Sequence, residues 1–259
     1  MPICDSCWAE FPALDGPGCA RCGDALDALS AASGAKLCRA CRLAPPAFER
    51  AAACGLYEGR MKEAIHALKY DGLHAAARPL GRMLATAIAR LAAEVPHELL
   101  VVPIPLHRSK YAQRGFNQAR LLAREALAAL RATHPRLVLT LAPSTLMRLR
   151  ATESQAGLTP RQRRLNVRGA FSVSDRGAVL QRHILLVDDI LTTGATARAA
   201  ARALVQAGAA SIWVATLARA RRVAFAVPNG KDRGKVGGKD GALGDPAGNG
   251  FSTLGPPPF

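Results

Sequence analysis

Two adjacent carboxylates and a hydroxyl-rich turn form the stretch of this sequence with the clearest chemistry. Asp188 and Asp189 follow an apolar run that begins at Ile184 and is typical of a strand buried on both faces. The turn after them offers a phosphate backbone N–H groups, hydroxyls and the positive end of a following helix. The candidate phosphate-binding residues are Thr192, Thr193, Gly194, Ala195 and Thr196.

The acidic pair restricts the kind of phosphate that belongs there. Two anions would repel a ligand that offered phosphate alone, so we expect a ligand with hydroxyl donors or an accompanying divalent cation. A ribose 5-phosphate with Mg²⁺ satisfies both conditions. The sequence has no Gly-Lys-Ser/Thr of a Walker loop, and one glycine is too few for the dinucleotide fingerprint. The alternative is an ordinary strand end with two solvated acids and a helix cap.

Six of the seven cysteines form three Cys-x-x-Cys pairs, at positions 4/7, 19/22 and 38/41. Two such pairs can close a tetrahedral thiolate shell around a structural Zn²⁺, which would stabilise a module with little apolar core. A redox function is the weaker alternative, because no single pair lies in a βαβ context. One zinc needs four ligands and two need eight, so the spacing leaves open which pairs bind metal.

Around these residues the sequence alternates between apolar strands and helices. This alternation predicts an α/β fold, with a parallel sheet flanked by helices and ligands bound at the carboxyl ends of the strands. A basic loop follows the strand that ends at Pro103, and a solvated loop that caps the next helix is the alternative to a ligand-binding role. The basic loop contains His107, Arg108, Lys110 and Arg114. The predicted helices are 57–70, 79–94 and 117–132, and the predicted strands are 99–103, 184–187 and 211–217.

Composition favours a soluble, cytoplasmic protein with no membrane insertion. The 259 residues include no uncharged apolar run of membrane-spanning length and no apolar signal segment. The formal net charge of +16 favours nucleic acid or diphosphate-bearing partners, although a GC-rich genome that encodes arginine in place of lysine would give the same charge. We expect a Cys-rich module at 1–45, an α/β domain at 50–220 and a disordered Gly/Pro-rich tail at 221–259.

Residues 184–197 resemble the phosphoribosyl pyrophosphate (PRPP) motif of type I phosphoribosyltransferases. The chain as a whole resembles the ComF family, which is associated with DNA uptake in natural competence. The resemblance implies a type I phosphoribosyltransferase fold with an amino-terminal zinc ribbon. Besides 184–197, the similar segments are Cys19–Gly23, Ile65–Tyr70, Val102–Pro105, Arg114–Gln118 and Thr152–Phe171.

This resemblance also implies roles for individual residues. Asp188 and Asp189 would hold the ribose hydroxyls, and the turn at 192–196 would hold the 5-phosphate. Arg114 would face the pyrophosphate, so these two acids and Arg114 are the candidate catalytic residues. Thr192 stands where purine-salvage relatives carry an acid, so the usual purine acceptors are not indicated.

Two further implications concern the flap and the metal. Residues 152–166 resemble a flap that would bring Gln155 and Arg163 to the ligand; a solvated, disordered loop is the alternative. For the metal, Cys4 and Cys7 would be the remainder of a first ribbon, and the rival set of pairs 4/7 and 19/22 remains open. The zinc ligands that the resemblance favours are Cys19, Cys22, Cys38 and Cys41.

Two functions from different classes follow. The first is a transferase that binds Mg²⁺–PRPP and passes the phosphoribosyl group to an unknown acceptor, in connection with DNA uptake. The second is a non-catalytic accessory protein that senses nucleotides or binds single-stranded DNA or the uptake machinery. Few aromatic residues are available to stack on bases, which argues against a dedicated single-strand binder.

Overall fold

A parallel five-stranded sheet is the centre of the computed structural model, which describes residues 11–14, 16–150 and 169–221. The strand order is β1-β7-β6-β2-β3, and β4 and β5 form a separate antiparallel pair. The strands are Arg50–Leu56 (β1), Glu98–Pro103 (β2), Val138–Leu141 (β3), Leu146–Arg148 (β4), Phe171–Val173 (β5), His183–Leu191 (β6) and Ser211–Arg219 (β7).

Helices cover both faces of this sheet. Among the described residues, no helix has the length and apolar character needed to cross a lipid bilayer. A 3₁₀ turn at His74–Ala76 leads into the fourth α-helix. The helices are Ala28–Ala32 (α1), Arg39–Leu43 (α2), Gly59–Tyr70 (α3), Ala77–Ala89 (α4), Arg108–Arg114 (α5), Gln118–Thr133 (α6) and Ala195–Gln206 (α7).

The side chains of β6 alternate between two apolar layers. Leu185 and Val187 pack into the layer that contains α3, α4 and α6, whereas Ile184 and Leu186 pack into the layer that contains α7 and the cysteine-rich segment. Because each face of the strand is buried, an uninterrupted apolar run is favoured over an alternating one. The predicted parallel sheet with helices on both faces is confirmed.

The element boundaries differ from the predictions where backbone hydrogen bonds continue or stop. The first predicted helix begins at Gly59, because the Tyr57 N–H still donates to the Arg219 carbonyl across the sheet at 2.9 Å. The helix predicted at 79–94 spans Ala77–Ala89 and then continues only as turns. The helix predicted from 117 starts one residue later, since Asn117 is its cap and its Oδ1 accepts the Arg120 N–H at 3.2 Å.

Candidate active site

A cavity of about 210 Å³ lies at the carboxyl ends of β2 and β6. Chain connections leave these neighbouring strands in opposite directions, from β2 through α6 to β3 and from β6 through α7 to β7. In doubly wound sheets, ligands bind in the crevice at such a switch of direction. The loop after β2 supplies residues 104–107 to the lining and the start of α5 supplies Ser109 and Lys110, whereas the β6–α7 segment supplies Asp188 and Thr196.

Both acids lie within β6, not beyond its end as expected from the sequence. The strand continues through them to Leu191, because its pairing with β7 persists from Asp188 to Leu191. On the other side, pairing with β2 stops where Pro103 meets Val187. The acids therefore stand just past the end of β2, at the rim of the cavity.

Alternation along the strand separates the two acids. Asp189 shares the face of Leu185 and Val187 and meets α3, where the Lys69 Nζ lies 2.9 Å from its Oδ2. Only 6 % of the Asp189 side chain and 16 % of the Lys69 side chain are exposed. Burial opposes the charge of Lys69, but the Asp189 carboxylate outweighs it and raises the pKa of Lys69 above its ordinary value. Asp189 is thus engaged by the protein itself.

Asp188 lines the cavity instead. Burial, followed by the neighbouring charge of Asp189, raises the pKa of Asp188 to about 7. Its Oδ1 accepts the backbone N–H of Asp189 at 2.9 Å. A carboxyl group whose ionised form is this costly is well suited to bind a cation or to accept hydrogen bonds from hydroxyls.

The phosphate turn, residues 192–196, joins β6 to α7. Gly194 caps α7 with a φ of +75°, a conformation that strains any residue with a side chain. A Cβ at Gly194 would have 3.9 Å to its nearest neighbours, so the backbone conformation selects glycine here and crowding does not. The Thr193 hydroxyl accepts the Ala195 N–H at 3.4 Å, and Thr196 lines the cavity. Thr196 is the one residue of the predicted set 192–196 that lines the cavity; Thr192, Thr193, Gly194 and Ala195 belong to the turn but do not line it.

Four cations also line the cavity. We call Lys69, Lys110, Arg114 and Arg148 the cationic wall. The Arg114 guanidinium donates to the Gln118 Oε1 at 2.7 Å and lies 5.1 Å from the centre of the Tyr70 ring, which fixes it at the cavity. Arg114 therefore lies in the same cavity as Asp188, as the sequence-based assignment requires.

Lys69 and Arg148 are wall residues that the sequence-based selection of site residues missed. Lys69 follows Ile65 by four positions, so it continues the buried stripe of α3 as a charged residue, which is a detectable signal. Arg148 shares the inward face of β4 with Leu146. Its guanidinium lies 5.5 Å from the centre of the Phe171 ring, and burial lowers its pKa from the ordinary value.

A second cluster of functional side chains lies among the short amino-terminal helices. The Sγ atoms of Cys19, Cys22, Cys38 and Cys41 all lie within 4.8 Å of one another, and all four residues are buried. We call them the cysteine cluster. The first pair forms a tight knuckle in which the Gly23 N–H donates to the Cys19 carbonyl at 2.8 Å.

This donor set fits a soft divalent metal. A hydrogen bond with Cys41, followed by burial, raises the pKa of the Cys22 thiol, and burial raises the pKa of Cys38. A bound dication reverses that preference by stabilising the thiolates. Zn–S bonds of ~2.3 Å in a tetrahedron place sulfur atoms about 3.8 Å apart, and the Cys22 and Cys38 Sγ atoms are 3.7 Å apart. The predicted set of four cysteines is brought together and could bind a metal such as zinc.

Several sequence predictions lie outside the described residues. They concern Cys4 and Cys7, the flap at 152–166 with Gln155 and Arg163, and residues 222–259 of the predicted tail.

Comparisons with known proteins agree with the fold. A sequence model of the "Phosphoribosyl transferase domain" matches residues 119–235. The chain is 31% identical over 177 residues to "DNA utilization protein YhgH" of Escherichia coli (strain K12), covering 68% of this chain and 74% of that protein. It is 29% identical over 223 residues to "Competence protein F" of Haemophilus influenzae, covering 84% and 90%. It is also 26% identical over 218 residues to "Competence protein ComFC" of Bacillus subtilis, covering 84% of each.

The parallel sheet, the acid-and-turn segment at its switch point and the matching domain define a protein of the phosphoribosyltransferase fold. The relatives identify the family within that class. The chain belongs to the ComF family, whose members described above are named as competence proteins and DNA utilization proteins.

Proposed function

We propose that the protein binds Mg²⁺–PRPP in the switch-point cavity and transfers its phosphoribosyl group to an unknown acceptor, in connection with DNA uptake. The observation that carries this proposal is the distribution of charge in one cavity. Asp188 and Thr196 line the same cavity as the cationic wall. PRPP carries partners for both kinds of group: ring hydroxyls at C2 and C3 that can donate to a carboxylate, and a 5-phosphate and a C1 diphosphate that bind N–H groups and cations.

Each part of the ligand has a matching partner in this proposal. The 5-phosphate occupies the phosphate turn, where the start of α7 and Gly194 let the main chain approach it. The ribose hydroxyls face Asp188. The diphosphate lies against Lys110 and Arg114, which neutralise the charge that develops as it leaves.

The transfer breaks the bond between C1 and the diphosphate oxygen, and the electron pair leaves with the diphosphate. A nitrogen or oxygen nucleophile of the acceptor forms the new bond at C1 and releases its proton. Mg²⁺ bound with PRPP would offset the charge of the leaving group, with Asp188 as the oxygen ligand or hydroxyl acceptor that the protein contributes. The Lys69–Asp189 ion pair keeps a second negative charge from opposing the phosphates.

The cysteine cluster completes the proposal as a structural zinc site, with Cys19, Cys22, Cys38 and Cys41 as its ligands. A closed shell of four thiolates leaves no position for substrate, which is the property of a structural site. We therefore assign the chemistry to the α/β domain at 50–220 and the metal to the module at 1–45.

A calorimetric titration with PRPP, with and without Mg²⁺, tests the proposal. We expect Mg²⁺-dependent binding by the parent and at least tenfold weaker binding by Asp188→Asn. Asp175→Asn is the matched control, because Asp175 lies in an exposed turn, accepts the Gly177 N–H at 2.8 Å and does not line the cavity. The absence of detectable heat at about millimolar PRPP, or equal weakening by both substitutions, would contradict the proposal.

A second candidate, binding of single-stranded DNA, is favoured by the surface of α5. This helix has no acid and no buried residue, and it carries Arg108, Lys110 and an exposed Tyr111. Cations that contact phosphates and an aromatic ring that stacks on a base are the components of single-strand recognition. Affinity for an oligonucleotide that falls steeply with salt and is reduced by Tyr111→Ala, in a protein that does not bind PRPP, would select this function.

A further inference from the structure

Two arginines connect the cysteine cluster to the phosphate turn. Arg219 ends β7 and is only 2 % exposed. Its Nη1 donates to the carbonyl of Leu191 at 2.6 Å and to the carbonyl of Thr192. Its Nη2 lies 3.1 Å from the Oδ1 of Asp24. One buried guanidinium thus holds the main chain where β6 becomes the phosphate turn, and a carboxylate of the cysteine-rich segment holds that guanidinium.

The position of Asp24 depends on the first cysteine pair. Asp24 follows the Cys19–Gly23 knuckle directly, and the Cys19 N–H donates to the Asp24 carbonyl at 2.7 Å. The Asp24 residue is 4 % exposed. A change in the knuckle therefore moves the carboxylate that faces Arg219.

Arg198 makes a separate connection from the second cysteine pair. It lies in the first turn of α7, where its backbone N–H donates to the Gly194 carbonyl at 2.9 Å. Its Nη2 donates to the Cys41 Sγ at 3.5 Å, and its Nη1 donates to the Ala44 carbonyl at 2.5 Å. The residue that closes the first turn of α7 is thus hydrogen-bonded to a sulfur of the cysteine cluster.

We propose that Arg198 and Arg219 are positioning residues through which metal in the cysteine cluster sets the affinity of the phosphate turn. This inference rests on the proposed function of that turn. A divalent ion held by four thiolates leaves the cluster a net negative charge, which strengthens the N–H···S hydrogen bond of Arg198. It also fixes both knuckles, and with them Asp24 and the Ala44 carbonyl. The turn is then held in its binding conformation from both of its ends.

Coupling of this kind is reciprocal, and reciprocity gives the test. If metal tightens the turn for its ligand, the ligand must tighten the cluster for metal by the same factor. The probe is ribose 5-phosphate, which engages the turn without the diphosphate. Zinc affinity of the full chain is measured by competition with a chromophoric chelator, with and without saturating ribose 5-phosphate. The direct affinity of the zinc-loaded protein for ribose 5-phosphate is measured by calorimetry.

For the parent we expect ribose 5-phosphate to raise zinc affinity about tenfold. We expect this increase to fall below about twofold in Arg198→Ala and to be partly restored in Arg198→Lys, which keeps the charge and one donor. Arg202→Ala is the matched control, because Arg202 is one turn further along α7 and its Nε donates to the Arg198 carbonyl at 3.4 Å, not to a cysteine sulfur. Arg202→Ala should behave as the parent does.

Cobalt-loaded protein provides a readout that a structural role alone would not change. We expect ribose 5-phosphate to shift the thiolate-to-cobalt charge-transfer band of the parent and not that of a folded Arg198→Ala. If the parent binds ribose 5-phosphate but its zinc affinity and cobalt spectrum do not respond, the coupling is refuted and the proposed function stands. If zinc-loaded parent does not bind ribose 5-phosphate, the proposed function of the turn fails and the coupling fails with it.

Discussion

The cysteine cluster and the switch-point cavity both concentrate polar and ionisable groups, but they use them in opposite ways. The four cysteines are buried and their sulfur atoms face one another. In the cavity, one ion pair, between Lys69 and Asp189, is closed within the protein. Asp188 and the cations Lys110 and Arg114 line open space instead.

This difference separates a structural site from a binding site. Groups that complete one another's coordination stabilise the fold and exclude exchangeable ligands. Charged groups that face a cavity destabilise the fold while the cavity is empty. A ligand that binds to them offsets this loss of stability. We therefore expect substitutions in the cluster to act on folding, and substitutions in the cavity to act on binding.

The largest effect should come from the cluster. Cys41→Ser removes a metal ligand and the partner of Arg198, so we expect it to lower the free energy of unfolding by about 3–5 kcal/mol. Urea denaturation of metal-loaded protein measures this. Cys54→Ser is the control, because Cys54 is outside the cluster and half-buried beside the Thr86 hydroxyl. Equal losses of unfolding free energy in the two variants would contradict the assignment of the cysteine cluster as a structural site.

The next effect should appear at the closed ion pair. Asp189→Asn leaves Lys69 buried without its counter-charge, and we expect a loss of about 2 kcal/mol in unfolding free energy. Glu98→Gln, which breaks the exposed ion pair with Arg182, should cost less than about 0.5 kcal/mol. If Asp189→Asn proved as mild as this control, the pair would not be a closed structural element.

Substitution of Asp188 should change the free energy of unfolding in the opposite direction, towards greater stability. Its pKa is about 7 in the folded protein and 3.8 ordinarily, so its ionisation destabilises the fold progressively as the pH rises from about 4 to 7. We expect Asp188→Asn to raise the unfolding free energy by about 1 kcal/mol at pH 8 and to leave it unchanged near pH 3. Thermal denaturation at the two pH values checks this. Destabilisation by Asp188→Asn at pH 8 would contradict it.

The smallest effect concerns pH and ligand affinity. Because binding to Mg²⁺ or to ribose hydroxyls favours ionised Asp188, PRPP affinity should increase several-fold between pH 6 and pH 8. The increase should be absent from Asp188→Asn. Calorimetry in buffers of matched ionic strength measures both proteins, and a parent profile identical to that of the variant would assign the titration to other groups.

Much of the fold was predictable because apolar periodicity reports burial directly. The run before Asp188 predicted a strand buried on both faces, and the structure places it inside the sheet. The opposite orientations of Asp188 and Asp189 could also have been predicted from the sequence, since neighbouring residues of a strand point to opposite faces. It was missed because the strand was expected to stop at Asp188, whereas pairing with β7 extends it to Leu191.

Other features depend on tertiary contacts that no local pattern encodes. The partner of Arg219 is Asp24, nearly two hundred residues away along the chain, and neither residue belongs to a recognisable motif. Arg148 could not be distinguished by sequence from the other arginines of its segment, because the β4–β5 pairing determines which way its side chain points. Spacing identified which residues could do chemistry, whereas packing decided which of them meet.

A crystal structure of the protein with Mg²⁺–PRPP tests the central claim most directly. We expect the 5-phosphate at Thr193–Thr196, the ribose hydroxyls or the metal at Asp188, and the diphosphate against Lys110 and Arg114. We also expect Asp189 to keep its ion pair with Lys69. PRPP bound away from the switch-point cavity, or a cavity that stays empty at saturating ligand, would contradict it.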